Sequence, residues 1–447
     1  MNTPICDFVR SYADTDPLRL HMPGHKGECL TGFEKYDITE IPGADSLYEA
    51  DGIIKESENN ASLLFGCETL YSTEGSSLSI RAMLYLTCLY AEEKGETPLI
   101  LAGRNVHKVF LSAAALLDFE VDWIYPESES SYLSCSITAE QLDRKIRSAS
   151  RRPTAVYVTS PDYLGNEIDI RSLAEVCKDY GVLLLVDNAH GAYLKFLHES
   201  RHPIDLGADI CCDSAHKTLP VVTGGAYLHV SDDAPQIFKT SAKDALALFG
   251  STSPSYLILQ SLDAVNKYIS DDYTERLRKF TLSVELLKEQ IATHGYDVRK
   301  TEELKITVCT KPYGYTGNEF AGLLAEKGIF CEYSDPDFIV MMFTPELEDR
   351  INEVLNAFLS VPAREALCTK LPIINKPIKA CSIREAYFCR SKAVNIENAL
   401  GETLAVSDVG CPPAVPVLVA GEVIDDNIRE VFEYYGIEKC KVILKCV

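Results

Sequence analysis

No apolar run in this 447-residue chain is long enough to span a bilayer as a helix. The opening stretch, MNTPICDFVRSYADTD, has neither the basic flank nor the apolar core of an export signal. Low-complexity tracts and internal repeats are also missing. Basic residues are in deficit: 43 Lys and Arg stand against 66 Asp and Glu, a net charge of −23. Nucleic-acid binding needs clustered Lys and Arg, so that class of partner is excluded. The acidic surface gives a weak long-range attraction for small cations, and it also serves solubility. None of the 16 cysteines forms a Cys-x-x-Cys pair, which removes zinc knuckles and thioredoxin-like motifs. No metal site is expected. With no export signal, the thiols are expected to be reduced, in the cytoplasm, and mostly small core residues.

What the chain does contain is a regular alternation. Its length implies two or three domains. Residues 1–60 read as irregular, with Pro-Gly pairs in HMPGHKG (21–27) and EIPGAD (40–45). From about residue 61, short apolar runs alternate with helical spacing. TPLILAG (97–103), VDWIYP (121–126), PTAVYVTSP (153–161), VLLLVDNAHGAY (182–193), ADICCDSAHKT (208–218) and GGAYLHV (224–230) read as strands running into loops. SSLSIRAMLYLTCLYAEEKG (76–95), HKVFLSAAALLDF (107–119), TAEQLDRKIRSA (138–149) and DIRSLAEVCKDYG (169–181) read as helices. Continuous apolar strands alternating with helices imply an α/β fold with a mostly parallel sheet covered on both faces. After residue 255 a long helical stretch, interrupted near ISDD, leads to strands at 304–310 and 338–343 flanking a helix at 317–328. The expected division is 1–260 for an N-terminal arm and large domain, 261–362 for a small α+β domain, and 363–447 for a C-terminal domain.

In open α/β sheets the ligand sits beyond the carboxyl ends of the strands. Four polar features fall there. In YSTEGSSLSIRAML (71–84), Ser76 and Ser77 open a helix whose free N–H groups suit a phosphate, although serine also caps helices routinely. Asp187 ends a buried strand, where it can partner an Arg or backbone N–H groups, or serve as counter-ion to a protonated ring nitrogen. Lys217 follows another strand, with Ser214 and His216 beside it as donors for an anion. On its own it reads as a lysine on a turn; in a sheltered site it is a Schiff-base nucleophile. His107, in RNVHK (104–108), lies at the same edge. Each feature alone has an ordinary structural explanation. Together, a Ser-rich phosphate loop, a His, a buried Asp and Ser-x-His-Lys describe a pyridoxal 5'-phosphate site.

At these residues the sequence resembles the fold-type I pyridoxal-phosphate enzymes, and among them the bacterial ornithine/lysine/arginine decarboxylases. The matching stretches are HMPGHKG, DITEIPGADSL, RNVHK, VTSPDYLGNEIDI, LLVDNAHGAY, GADICCDSAHKTLP, GSTSPSYLILQSLD and, more loosely, PPAVPVLVAGE. They span nearly the whole chain. The resemblance implies a fold-type I, transferase-like large domain with smaller α+β C-terminal domains. It also implies the shorter family form, without the N-terminal response-regulator-like domain of larger members. Lys217 would be the Schiff-base lysine, Asp187 would hold the ring nitrogen protonated, His107 would stack on the ring, and His190 would lie near the ring substituents. Ser76, Ser77, Ser214 and His216 would hold the phosphate. Thr252, in GSTSPSY, would reach the phosphate of a neighbouring subunit, so the protein would be a homodimer with its active site at the interface. Glu332, in GIFCEYSD, corresponds to a position that binds the distal group of the substrate. The chain departs from the family pattern at Glu74, at Asn188 where the family has an acid, and in CPPAVP (411–416).

The expected reaction is decarboxylation of lysine, arginine or ornithine to the amine and CO2. Two other readings stay open. One is an aminotransferase using the same cofactor, although the Arg clamp usual in that class is not identifiable. The other is a non-catalytic homologue that binds the cofactor or a partner.

Overall fold

A computed structural model describes residues 1–127, 131–407 and 413–444. Seven strands build the main sheet: β1 (Glu68–Ser72), β2 (Leu99–Gly103), β3 (Glu120–Ile124), β4 (Ala155–Thr159), β5 (Leu183–Asp187), β6 (Ile210–Asp213) and β7 (Ala226–Val230). Their order is β1-β7-β6-β5-β4-β2-β3. The β5–β6 and β2–β3 pairs are parallel. β7 runs antiparallel to both β1 and β6. The segment from β6 to β7 contains one helical turn and no crossover helix, so the chain returns directly and β7 is reversed. Every residue of β2, β5, β6 and β7 is buried. That is why these strands read as continuous apolar runs and not as alternating ones.

The chain forms two compact units. The first comprises Met1–Pro98, Thr154–Tyr157 and Ile170–Arg278. It holds helices α1 (Pro4–Asp14), α2 (Ile53–Phe65) and α3 (Gly75–Glu93). The first two correct the expectation that residues 1–60 are irregular. Pro4 occupies the first turn of α1, where its missing N–H has no cost, and Ile5 and Val9 bury one face. In α2, Ile54, Glu58, Ala61 and Phe65 recur at helical spacing and are buried. The Pro-Gly pairs lie between the two helices. The EIPGAD motif has a job there: Asp45 accepts hydrogen bonds from the Gly52 and Ile54 N–H groups, each at 2.8 Å, at the start of α2. Buried Asp263 ties the arm down, accepting from Cys6 N–H at 2.9 Å and from Ser57 Oγ at 2.6 Å. The long helical stretch is interrupted where expected: a π-helical turn, Ile269–Tyr273, carries the ISDD sequence.

The second unit comprises Leu99–Pro153, Val158–Asp169 and Lys279–Val447. It holds α4 (Lys108–Leu117), α5 (Ala139–Ser148) and a four-stranded antiparallel sheet. Two strands of that sheet are Lys305–Cys309 and Phe338–Met342, and the helix between them is Gly317–Ala325. Near the C-terminus a core of Ile396, Leu404, Leu418, Ile424, Val431 and Val442 packs under a two-stranded ribbon. Of the CPPAVP segment, residues 411 and 412 lie outside the described residues. Among the described residues, no helix is long and apolar enough to cross a membrane.

Candidate active site

The candidate site is built where β1, β5 and β6 end in the first unit. After β1, the Ser72 hydroxyl accepts from Glu74 N–H at 3.2 Å and donates to Gly75 O at 2.9 Å, folding a tight turn. Gly75 takes a left-handed φ of 70°, which a residue with a Cβ adopts only with strain. α3 therefore begins abruptly. The Glu74 side chain makes no capping bond to α3. Its Oε1 instead accepts from Ser251 N–H at 2.5 Å, in the exposed loop that carries Thr252. The departure at Glu74 thus has a local explanation: its carboxylate is hooked to another loop.

Ser76 is buried in the first turn of α3, with Ser77 beside it. Ser214, the residue after β6, donates its hydroxyl to Ser76 Oγ at 2.8 Å. The next residues form not the expected loop but a single helical turn, α6 (Ala215–Thr218). His216 locks that turn to the β7 side. Its backbone N–H and its ring Nδ1 both bond to Gly225 O, at 3.1 and 2.9 Å, which requires a proton on Nδ1. Lys217 Nζ lies 3.0 Å from His190 Nε2. A lysine ammonium only donates, so His190 accepts at Nε2 and carries its own proton on Nδ1.

Asp187 is buried and opposite Cys212 in the parallel β5–β6 register. Tyr157 Oη donates to its Oδ2 at 3.2 Å, and Ala189 N–H donates to Oδ1 at 3.2 Å. The Cys212 thiol also reaches Oδ1, at 3.7 Å. Burial pushes the Asp187 carboxyl above the usual range, opposed chiefly by the charge of Lys217. Burial, with Asp187 next to them, likewise pushes the Tyr157 phenol and the Cys212 thiol well up, so both remain protonated donors. Neither was singled out from sequence. The only available signal was their apolar strand context, which does not distinguish donors from core.

The next residue, Asn188, points elsewhere. Its Nδ2 donates to Asp213 Oδ1 at 2.6 Å. The other oxygen of Asp213 accepts from His202 Nε2 and His229 Nε2, each at 3.1 Å. All four residues are fully buried. With Cys211, the donor atoms of His202 and Asp213 lie within 4.8 Å of one another, a spacing compatible with a metal. The hydrogen bonds to Asp213 account for the same arrangement directly. His202 Nδ1, which a metal-bound ring would direct at a partner, has none.

His107 and Glu332 belong to the second unit. His107 is the N-cap of α4, its Nδ1 accepting from Val109 N–H at 3.2 Å. Glu332 is exposed, and Tyr163 Oη donates to its Oε1 at 2.7 Å.

A family model described as Orn/Lys/Arg decarboxylase, major domain, matches residues 3–312. The chain belongs to this family. Uncharacterized protein YaaO of Bacillus subtilis is 29% identical over 94% of this chain and 92% of its own length. Arginine decarboxylase of the same organism is 27% identical over 96% of this chain and 93% of its own length. The fold also matches the solved structure of lysine decarboxylase A from Pseudomonas aeruginosa, with a TM-score of 0.77 at 17% identity, covering 97% of this chain and 76% of that one. The family and the fold are those of pyridoxal-phosphate enzymes. The chemistry of the first-unit residues fits that cofactor. Hydroxyls and an abruptly started helix suit a phosphate, a lysine amine stands against a proton acceptor, and a buried carboxylate accepts from a phenol, a thiol and a backbone N–H, all neutral.

Proposed function

We propose that the protein decarboxylates a basic L-amino acid (lysine, arginine or ornithine) to its amine and CO2. The observation that carries this reading is the joining of Lys217, His190, Ser214 and Ser76 around one helical turn, with buried Asp187 on the neighbouring strand. Lys217 would hold the cofactor, the hydroxyls of Ser76 and Ser214 its phosphate, and Asp187 its ring nitrogen. Pyridoxal phosphate, when bound, supplies the sink for the electron pair released as the Cα–carboxylate bond breaks.

The protein's own groups do the rest. Lys217 must lose a proton before its amine can act as a nucleophile, and His190 Nε2 at 3.0 Å is placed to take it. Asp187 would hold a negative charge for the ring nitrogen, at no cost in reorganisation at the moment of reaction because its donors are already fixed. The net charge of −23 favours the approach of a substrate with a cationic side chain. A second copy of the chain is the proposed partner. Leu18, Leu20, Met22, Leu30 and Phe33 of the N-terminal arm are exposed apolar residues that a homodimer contact would cover.

The test is incubation of the purified protein with each basic amino acid, following amine and CO2 release. Amine with equimolar CO2 supports the proposal. A keto acid would identify an aminotransferase, and unchanged amino acid with bound cofactor would identify a binding homologue. Lys217→Ala is expected to abolish both turnover and the covalent attachment of cofactor seen by mass after borohydride reduction.

A further inference from the structure

The strands β5 and β6 each end in a buried carboxylate, Asp187 and Asp213, and the two are treated differently. Asp187 is held by a phenol, a thiol and a backbone N–H. Asp213 accepts three side-chain donors: Asn188 at 2.6 Å and the rings of His202 and His229 at 3.1 Å each. Asn188 directly follows Asp187, and Asp213 directly precedes Ser214, three residues before Lys217 opens the other arm of the site. The Asn188–Asp213 bond is therefore a cross-strand clasp between the two segments that carry the candidate catalytic groups. It is backed by a main-chain bond, Asn188 N–H to Cys212 O at 3.0 Å.

The clasp needs one acid and one amide. Asn188 has a single NH2 aimed at Asp213, while its own Oδ1 is buried without a partner and packs over Gly191. A carboxylate at 188 would place that unpartnered oxygen under a full charge and would set the other against Asp213. Asp213, with three donors, is the better seat for the charge. The histidines reinforce this assignment. Both use Nε2–H toward Asp213, and His229 Nδ1 lies 3.0 Å from Thr69 Oγ1, bonds that rings protonated on Nε2 alone can make.

We propose that Asn188 and Asp213 form an acid–amide clasp, seated on His202 and His229, that positions Asp187 and the Lys217 turn for cofactor binding. Asn188 and Asp213 are positioning residues, acting through their chain neighbours. The assignment to cofactor binding rests on the pyridoxal-phosphate reading above; the clasp itself does not.

The test uses the full chain with Asn188→Asp, Asp213→Asn, and the two changes together. Two quantities are measured: the thermal midpoint across pH, and the dissociation constant for pyridoxal 5'-phosphate. Asn188→Asp puts two carboxylates within hydrogen-bond reach, so one of them retains a proton to higher pH. Its folded-state affinity for that proton is raised, so its midpoint is highest in acid and falls as pH rises from about 5 to about 8, relative to the parent. The other titratable groups facing Asp213 are His202, His229, Tyr227, Cys67, Cys211 and Cys212, all unchanged in every variant. Asp213→Asn leaves a buried donor unpaired and weakens cofactor about tenfold, without the new pH dependence. The double variant restores one acid and one amide. It is expected to lose the pH dependence and to bind cofactor more tightly than Asn188→Asp, in which two carboxylates oppose each other. A flat pH profile for Asn188→Asp, or a double variant no better than its worse parent, would overturn the clasp. A normal clasp signature in the midpoints, with no cofactor bound by the parent protein, would instead count against the pyridoxal-phosphate reading alone.

Discussion

Asp187 shows what a single residue's surroundings do to its chemistry. Its carboxylate is buried, and its bonded donors, Tyr157, Ala189 and Cys212, are all neutral. Such donors hold a rotamer and favour the charged form without cancelling the charge. Tyr157→Phe removes one of them at almost no change in volume. Losing a bond to a charged group costs about 1.5–3 kcal/mol. Without the Tyr157 bond the Asp187 carboxyl, already raised by burial, rises further. On the proposed role of Asp187 as counter-ion to the cofactor's ring nitrogen the group works as a carboxylate, so the acidic limb of cofactor affinity is expected to move to higher pH in Tyr157→Phe. Titration of pyridoxal-phosphate binding against pH checks this; an unmoved limb would separate Tyr157 from Asp187. Asp187 and Lys217 could be singled out from sequence because a charged residue at the end of an apolar strand is conspicuous. Tyr157 and Cys212 could not, because a phenol or thiol within an apolar strand looks the same whether it packs or donates. The Asn188–Asp213 pair was equally hidden, since partners 25 positions apart meet only once β5 and β6 are known to be neighbours.

At the level of elements, the start of α3 depends on the backbone conformation of one glycine. Gly75 has φ of 70° and its N–H bonds to Gly224 O at 2.7 Å. A Cβ there would meet only His216 Cε1, at 3.9 Å, so Gly75→Ala has space but the wrong backbone preference. The left-handed conformation costs a non-glycine residue about 1–2 kcal/mol. Gly75→Ala is therefore expected to lower stability by about that amount and to weaken phosphate binding with it. Denaturant unfolding and inorganic-phosphate competition against pyridoxal phosphate measure the two effects. Most strands and helices from residue 61 onward could be read from periodicity because burial on both faces leaves long apolar runs. The arm was misread because its turn residues dominate by count, while α1 and α2 bury only narrow stripes. The reversed β7 was hidden for a different reason. Strand direction depends on how the chain returns, and the LPVVTGG connection contains no pattern that states it.

For the whole molecule, charge is the property that reaches furthest. A net charge of −23 attracts a substrate with a cationic side chain at a range set by the Debye length, about 10 Å at 0.1 M salt. If decarboxylation of a basic amino acid is the reaction, kcat/KM is expected to fall as ionic strength rises, with kcat little changed. A steady-state series in sodium chloride checks this, and a salt-independent kcat/KM would show that the acidic surface serves solubility alone. Membership of the decarboxylase family was legible in the motifs, of which RNVHK, VTSPDYLGNEIDI, LLVDNAHGAY and GADICCDSAHKTLP sit at strand ends while HMPGHKG and DITEIPGADSL lie in the arm between α1 and α2. The identity of the amino acid was not, because side-chain length and head group are read by a pocket that no local motif encodes.

Glu74 gives the molecule one more property. Its carboxylate is hooked to the backbone of the exposed 251–253 loop, and it stands two residues before Ser76 in the turn that opens α3. That one bond links the turn directly to an exposed loop. On the proposed phosphate-binding role of Ser76 and Ser77, a small fluorophore carried at position 252 would report loading as a change in emission, on a chain in which exposed Cys29, Cys368 and Cys389, and Cys411 and Cys446 outside the described residues, have been replaced. Loading could then be followed in real time with no amino acid present, making the protein its own optical gauge.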